Sequence, residues 1–383
     1  MRRPRHGSTL RPAIAMLFCV AMVTGSREAS AADASRTRSA AKPAIRAKAP
    51  LPPSYGQRAD VLAYIDDVVA REHLDRDELL RVFADARYSE TAARLMSPSA
   101  ATAARRDWTV YRARFVEPVR LAAGYRFWED NADVLARAER EFGVPAEIIV
   151  GILGCETVYG RNTGSFRVID ALTTLSFDYP RGDADRGRDR SPFFREQLTD
   201  ALMMSRDGTI DLATLRGSYA GAIGMPQFMP GSIRRFAIDY DGDGRIDLVG
   251  SAADVIGSVA NFLAQHGWVR DLPSYVALSH PAAVDEAQAA RIEALVNAGS
   301  EPNVDFAALV DAGFVANAPP PAARFALIDL PAGSDARGLP RTSYLAGTQN
   351  FHVITRYNRS YFYALSVIEL GATIKALRDA RAD

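Results

Sequence analysis

A chain of 383 residues with 48% hydrophobic and 24% charged side chains has the composition of a soluble globular protein of two or three domains. Basic and acidic side chains number 46 each, which argues against a nucleic-acid binder that works by phosphate neutralisation. Two cysteines exclude a disulfide-dense scaffold, a cysteine-rich zinc domain and an iron–sulfur cluster.

The chain begins with Arg2, Arg3, Arg5 and Arg11, then an 11-residue apolar run from Ala13 to Val23, then the small-residue sequence Ala29-Ser30-Ala31. This pattern predicts a secretory signal peptide cut after Ala31. The apolar run is short for a membrane span; an uncleaved anchor is the alternative. Cys19 follows Phe18 rather than a small residue, so the expected product is not lipidated. Residues 1–31 carry away five arginines and one acid. The expected mature chain keeps 41 basic and 45 acidic side chains, a net charge of −4, and one cysteine, Cys155.

Residues 32–54 are rich in Ala, Ser, Pro, Arg and Lys without an apolar period and read as a flexible linker. Residues 55–140 show helical spacing, as in Val61, Tyr64, Ile65, Val68 and Val69, with aromatic anchors at Trp108, Tyr111, Phe115, Phe127 and Trp128. Residues 141–271 stay helical but are punctuated by Gly and Pro. From 272 to 352 short apolar stretches (Tyr275–Leu278, Phe325–Leu330, Phe351–Thr355) alternate with Pro, Gly and Asn clusters, which predicts a small strand-containing module with a helix at Ala287–Ala298. Residues 353–383 return to a helix. The expected class is α+β, mostly α. The phosphate-binding, dinucleotide, zinc-hydrolase and serine-hydrolase motifs are absent, and His73, His266, His280 and His352 show no ligand spacing.

The informative helix follows Pro145. Ile149, Ile152 and Leu153 stand at i, i+3 and i+4, and Glu156 takes i+7, so its carboxyl lies on the apolar stripe. Apolar surroundings raise a carboxyl pKa and keep the proton available for general acid catalysis. A structural Glu paired with a buried Arg fits the periodicity equally well. Gly151 and Gly154 cost stability inside a helix, which predicts close approach of a ligand on that face. Gly160 suits the helix stop, and Cys155 reads as a small buried hydrophobe.

Residues 217–230 hold three further glycines, two prolines, Ser218, Tyr219 and Gln227. This is a tightly prescribed loop with hydrogen-bonding and stacking groups of the kind sugars need. Next, Asp239, Asp241, Asp243, Arg245 and Asp247 take positions 1, 3, 5, 7 and 9 of an EF-hand-like loop. Position 12, where the bidentate acid belongs, is Gly250. A weak calcium site and an ion-free Asx-turn loop are both open. The run Arg181 to Arg190 is either a solvated loop or a lid over an acidic ligand.

Together, VPAEIIVGILGCETVYGRNTG, DALTTLSFDYPR, GSYAGAIGMPQFMPGS, DYDGDGRIDL, GSVANFLAQHGW and FHVITRYNRSYFYA resemble the lytic murein transglycosylase B family, in order, over roughly residues 56–383. The resemblance implies a lysozyme-like core with a flanking helical domain and a small antiparallel β domain. It implies Glu156 as the single catalytic acid/base. Ser218, Gln227, Tyr357 and Asn358 would line the subsites, with Tyr111 and Tyr363 as aromatic groove positions. Phe262 stands where the family has a groove Tyr. Arg181-Gly182 replaces an arginine pair, with Arg186 or Arg188 as substitutes for stem-peptide recognition. The implied substrate is peptidoglycan and the implied compartment a Gram-negative periplasm. No cofactor is required for the chemistry; structural calcium is the one candidate ion.

Glycosidases ordinarily need two carboxylates. Asp170 precedes a helical run and reads as an N-cap, so no second acid is evident. One carboxylate suffices if the muramic acid 6-hydroxyl, not water, closes on C1. A lysozyme-like hydrolase and a non-catalytic wall-binding protein are the alternatives.

Overall fold

The computed structural model describes residues 54–97, 107–180, 189–280, 284–334 and 340–382. The expected signal peptide and nearly all of the linker lie outside the described residues. The described chain forms two compact units, 54–87 and 88–382.

The first unit is a helix pair, α1 (Ala59–Glu72) and α2 (Arg76–Asp85). Val61, Tyr64, Ile65 and Val68 of α1 face Leu79 and Phe83 of α2, with Tyr64 edge-on to Phe83 at 6.0 Å. Asp75 caps α2 by accepting the Glu78 N–H at 2.7 Å.

The second unit begins with α3 (Glu90–Met96), α4 (Trp108–Arg112), α5 (Pro118–Asp130), α6 (Ala132–Phe142) and α7 (Ala146–Thr157). It continues through β1 (Phe166–Arg167), α8 (Val168–Phe177), α9 (Ser191–Arg206), β2 (Arg216–Gly217), α10 (Pro230–Phe236) and α11 (Ala252–Gln265). A strand module follows: β3 (Tyr275–Ser279), α12 (Glu286–Asn297), α13 (Phe306–Asp311), β4 (Val315–Ala316), β5 (Ala326–Ser334) and β6 (Pro340–Gly347). Two helices close the chain, α14 (Gln349–Tyr357) and α15 (Tyr361–Ala382).

The centre of this unit is α7, which is buried all round from Ile148 to Thr157. Its tightest neighbour is α15, and the fit is backbone against backbone. A methyl group on Gly151 would stand 2.1 Å from the Val367 carbonyl oxygen, and one on Gly371 would stand 1.9 Å from that of Glu147. Gly154 is filled by the Tyr159 ring, whose hydroxyl would lie 2.4 Å from an added Cβ. The expectation that Gly151 and Gly154 admit a ligand is therefore corrected: they admit a helix and a tyrosine. The helix stop is corrected as well. Val158 and Tyr159 already carry φ of 53° and 56°, ahead of Gly160.

The strand module is a four-stranded antiparallel sheet in the order β4-β3-β6-β5. It has its own core of Val276, Leu278, Ile292, Leu309, Phe314, Phe325, Leu327 and Ala346. Its two ends are tied together at the base. Asn350 donates to the carbonyls of Val269 and Leu272 and accepts the Val269 N–H, all at 2.7 Å. Phe351–Thr355, expected among the strands, lies in α14. Thr348 caps that helix by accepting the Asn350 N–H, and Phe351, Val353, Ile354 and Thr355 are buried.

Candidate active site

Glu156 sits in the last turn of α7, a helix buried from Ile148 to Thr157, and is 9% exposed. Tyr363, near the start of α15, donates its hydroxyl to Glu156 Oε1 at 2.6 Å. Burial pushes the carboxyl up from 4.5 and the Tyr363 hydrogen bond pulls it part of the way back, leaving it at about 8. No neighbouring carboxylate contributes to that shift. The hydroxyls of Tyr357 and Tyr363 are both driven well above the ordinary tyrosine value by burial first and the Glu156 charge second. Three groups at one spot therefore hold their protons at neutral pH.

The end of α7 is braced from several sides. The Tyr159 N–H reaches the Leu153 carbonyl at 3.2 Å, a left-handed helix cap. Arg120 Nε donates to the Gly154 carbonyl at 3.0 Å, placing a cation at the negative end of the helix. Asp170 is not an N-cap: Arg167 holds that position, and Asp170 pairs with its guanidinium at 3.2 Å within the first turn of α8.

Opposite α7 runs the loop 217–230. Ser218 Oγ accepts the N–H groups of Ala220 and Ala222 at 3.3 and 3.0 Å, so it organises the turn. Gly221 and Gly224 have φ of 84° and 72°. An added methyl on them would meet Leu172 and the Leu248 carbonyl, at 2.5 and 2.3 Å. Gln227 adopts φ 53° and donates from Nε2 to the carbonyls of Gly224 and Thr163, at 2.9 and 3.1 Å. Tyr357 donates to the Pro226 carbonyl.

Aromatic side chains flank this centre in two groups. Phe262 is buried and packs against Phe228, Phe236, His266 and Tyr357, with ring centroids between 4.1 and 5.5 Å. In the other group, Tyr111 lies 6.5 Å from Trp108, 5.1 Å from Phe115 and 5.4 Å from Phe362, the residue before Tyr363. Tyr219 meets Phe166 edge-on at 6.5 Å. Asn358 is buried at the end of α14, where its Oδ1 accepts the Ser360 N–H at 3.2 Å. Arg181, Arg186 and Arg188 lie outside the described residues.

In the acidic loop the residues that converge differ from the sequence pattern. Carboxylate oxygens of Asp239, Asp241 and Asp254 come within 4.8 Å of one another. Asp243 and Asp247 are not in that group; they accept N–H groups of Arg245 and of Val249 and Gly250, all at 2.8 Å. Asp254 is 1% exposed and escapes a sequence reading because it sits in α11, where Ser251 and Asp254 have the spacing of a helix-capping box. Its carboxylate instead turns back to accept the N–H groups of Tyr240 and Asp247, both at 2.7 Å, and of Asp241 at 3.4 Å. Thr157 was the other residue missed: it follows Glu156 and carries no signal apart from the Glu-Thr pair.

Residues 57–372 match the family described as Transglycosylase SLT domain. The chain is similar to membrane-bound lytic murein transglycosylase B of Escherichia coli K12, with 36% identity over 323 residues and 82% of each chain covered. It is similar in structure to the E. coli lytic transglycosylase Slt35 in complex with calcium, with 34% identity, TM-score 0.71 and coverage of 84% of this chain and 94% of that one. SltB3 of Pseudomonas aeruginosa, solved with NAG-anhNAM-pentapeptide, matches at 26% identity and TM-score 0.66 over 82% of this chain and 78% of that one.

Proposed function

Because this chain belongs to the lytic transglycosylase family, we propose that it cleaves the β-1,4 bond between N-acetylmuramic acid and N-acetylglucosamine in peptidoglycan and leaves a 1,6-anhydromuramic acid end. The observation that carries the chemistry is Glu156: a buried carboxyl at about 8, with one neutral hydroxyl donor and no carboxylate among the causes of its shift.

Below about pH 8 the Glu156 carboxyl is protonated and gives its proton to the glycosidic oxygen as the bond to muramyl C1 breaks. The resulting carboxylate keeps the Tyr363 hydrogen bond on Oε1, which stabilises the anion until the second step. Glu156 then takes the proton of the muramyl 6-hydroxyl as that oxygen closes on C1, so the enzyme ends as it began. An attacking hydroxyl tethered to the sugar gains from proximity, and the substrate N-acetyl carbonyl stabilises the positive centre in place of a second acid. SltB3 of P. aeruginosa was solved in complex with an anhydro sugar, NAG-anhNAM-pentapeptide, which supports ring closure over attack by water.

Digestion of purified sacculi and mass analysis of the muropeptides tests this. Anhydro ends, lighter by one water than reducing ends and absent with Glu156→Gln, are expected. Reducing ends would assign a hydrolase. Equal release by the Gln variant would remove Glu156 from the chemistry.

The acidic loop is proposed to hold a divalent cation through Asp239, Asp241 and Asp254. Their hard oxygen donors converge, and Asp254 supplies the charge that Gly250 lacks. A bound calcium would cross-link the loop to α11. Supporting this, Slt35 was solved with calcium. Calcium should raise the Tm of the protein and EGTA should reverse the rise. Export by residues 1–31 to the periplasm fits the substrate; no helix among the described residues is long and apolar enough to cross a membrane.

A further inference from the structure

The turn 224–227 is gripped on successive peptide groups. The Met225 N–H donates to the Leu248 carbonyl at 2.9 Å, and the Met225 carbonyl accepts from Thr157 Oγ1 at 2.9 Å. The Pro226 carbonyl accepts from Tyr357, and the Gln227 amide closes the turn on Gly224 while reaching Thr163. One of these ties leads directly to the proposed acid. Thr157 is the residue after Glu156, is fully buried, and is the last residue of α7.

Its hydroxyl is used in both directions. It gives its proton to Met225 and accepts the Gly160 N–H at 2.9 Å. A helix end needs such partners, because its final carbonyls have none within the helix and the last turn frays. Here the need is sharper. The chain leaves α7 through two side-chain-bearing residues in left-handed backbone, Val158 and Tyr159. That conformation is costly for a β-branched residue and persists only when its surroundings enforce it.

We propose that Thr157 is a positioning residue: its hydroxyl bridges the last turn of the Glu156 helix to the Met225 carbonyl and so fixes the acid relative to the substrate-lining turn that carries Gln227. This rests on Glu156 being the acid. Thr157 is fully buried, so loss of its hydroxyl alters how the acid meets the scissile oxygen rather than how the strand binds. A misplacement on the order of 1 Å costs about 100-fold in rate.

The test compares Thr157→Val with Thr157→Ser, measured as anhydro-end formation on soluble uncross-linked glycan strands. Rates are taken per folded molecule, well below the Tm of each variant. The valine variant matches threonine in shape and lacks the hydroxyl. It should lose between about 10- and 100-fold in kcat, with KM within about twofold. The serine variant keeps the donor and should recover most of the kcat, even if its Tm falls as far as that of the valine variant. A valine variant with kcat within twofold of the parent would overturn the proposal, and so would a serine variant as slow as valine. Glu156→Gln in the same assay keeps the two claims apart: activity in that variant sinks the acid assignment, whatever Thr157 does.

Discussion

Among the described residues, two carboxyl groups are withdrawn from water, and they are treated in opposite ways. Asp254, 1% exposed, is solvated by three backbone N–H groups. Glu156, 9% exposed, accepts from one hydroxyl, that of Tyr363. Burial is common to both; the supply of donors is not. An acid whose oxygens are taken up by backbone amides holds a loop in shape. An acid left with one neutral donor keeps its proton at neutral pH and can spend it on chemistry.

The largest effect expected from breaking this contrast is on turnover. Glu156→Gln should reduce anhydro-end formation by at least about a thousandfold, read by mass on released muropeptides. The same substitution should raise stability, in a pH-dependent way. The folded state holds the Glu156 proton up to about pH 8, whereas the unfolded chain releases it near 4.5. Raising the pH through that window therefore erodes the parent but not the variant. Above pH 8 the gap should reach up to about 5 kcal/mol, and below pH 4.5 it should vanish, as urea unfolding at both ends would show.

On the other side of the comparison, Asp254→Asn replaces one acceptor oxygen by an NH2 group that faces a backbone N–H. A loss of about 2–3 kcal/mol is expected, together with loss of any calcium-dependent rise in Tm. Tyr363→Phe sharpens the contrast by removing the one donor Glu156 has. The carboxyl should then titrate higher, moving the alkaline limb of the kcat profile upward. A fall in kcat of about tenfold at neutral pH is expected, because the anion formed in the first step loses its partner.

The burial of Glu156 was legible because the residues before it on α7 are almost all apolar, although the one-sided stripe expected there is absent: α7 is buried all round from Ile148 to Thr157. The role of the neighbouring glycines was not. A glycine inside a helix signals that something comes close, but Val367, the group that comes close to Gly151, is 216 positions away. Phe351–Thr355 was misread because a five-residue stretch with three apolar side chains is too short to separate a strand from a turn and a half of buried helix. The cap that decides the matter is the Thr348 side chain. In the acidic loop the sequence showed the first two converging carboxylates and missed the third, because Asp254 lies beyond the loop pattern and reads as an ordinary helix-capping residue.

The reciprocal glycine notches between α7 and α15 have a consequence for accuracy. Each helix offers its glycine to a carbonyl of the other, Gly151 to Val367 and Gly371 to Glu147. Two such contacts act as a key and keyway. Sliding α15 by one turn, about 5.4 Å, would replace a hydrogen atom by a side chain at both notches at once. The pair therefore has one permitted register, and that register is the one that sets the Tyr363 hydroxyl against Glu156.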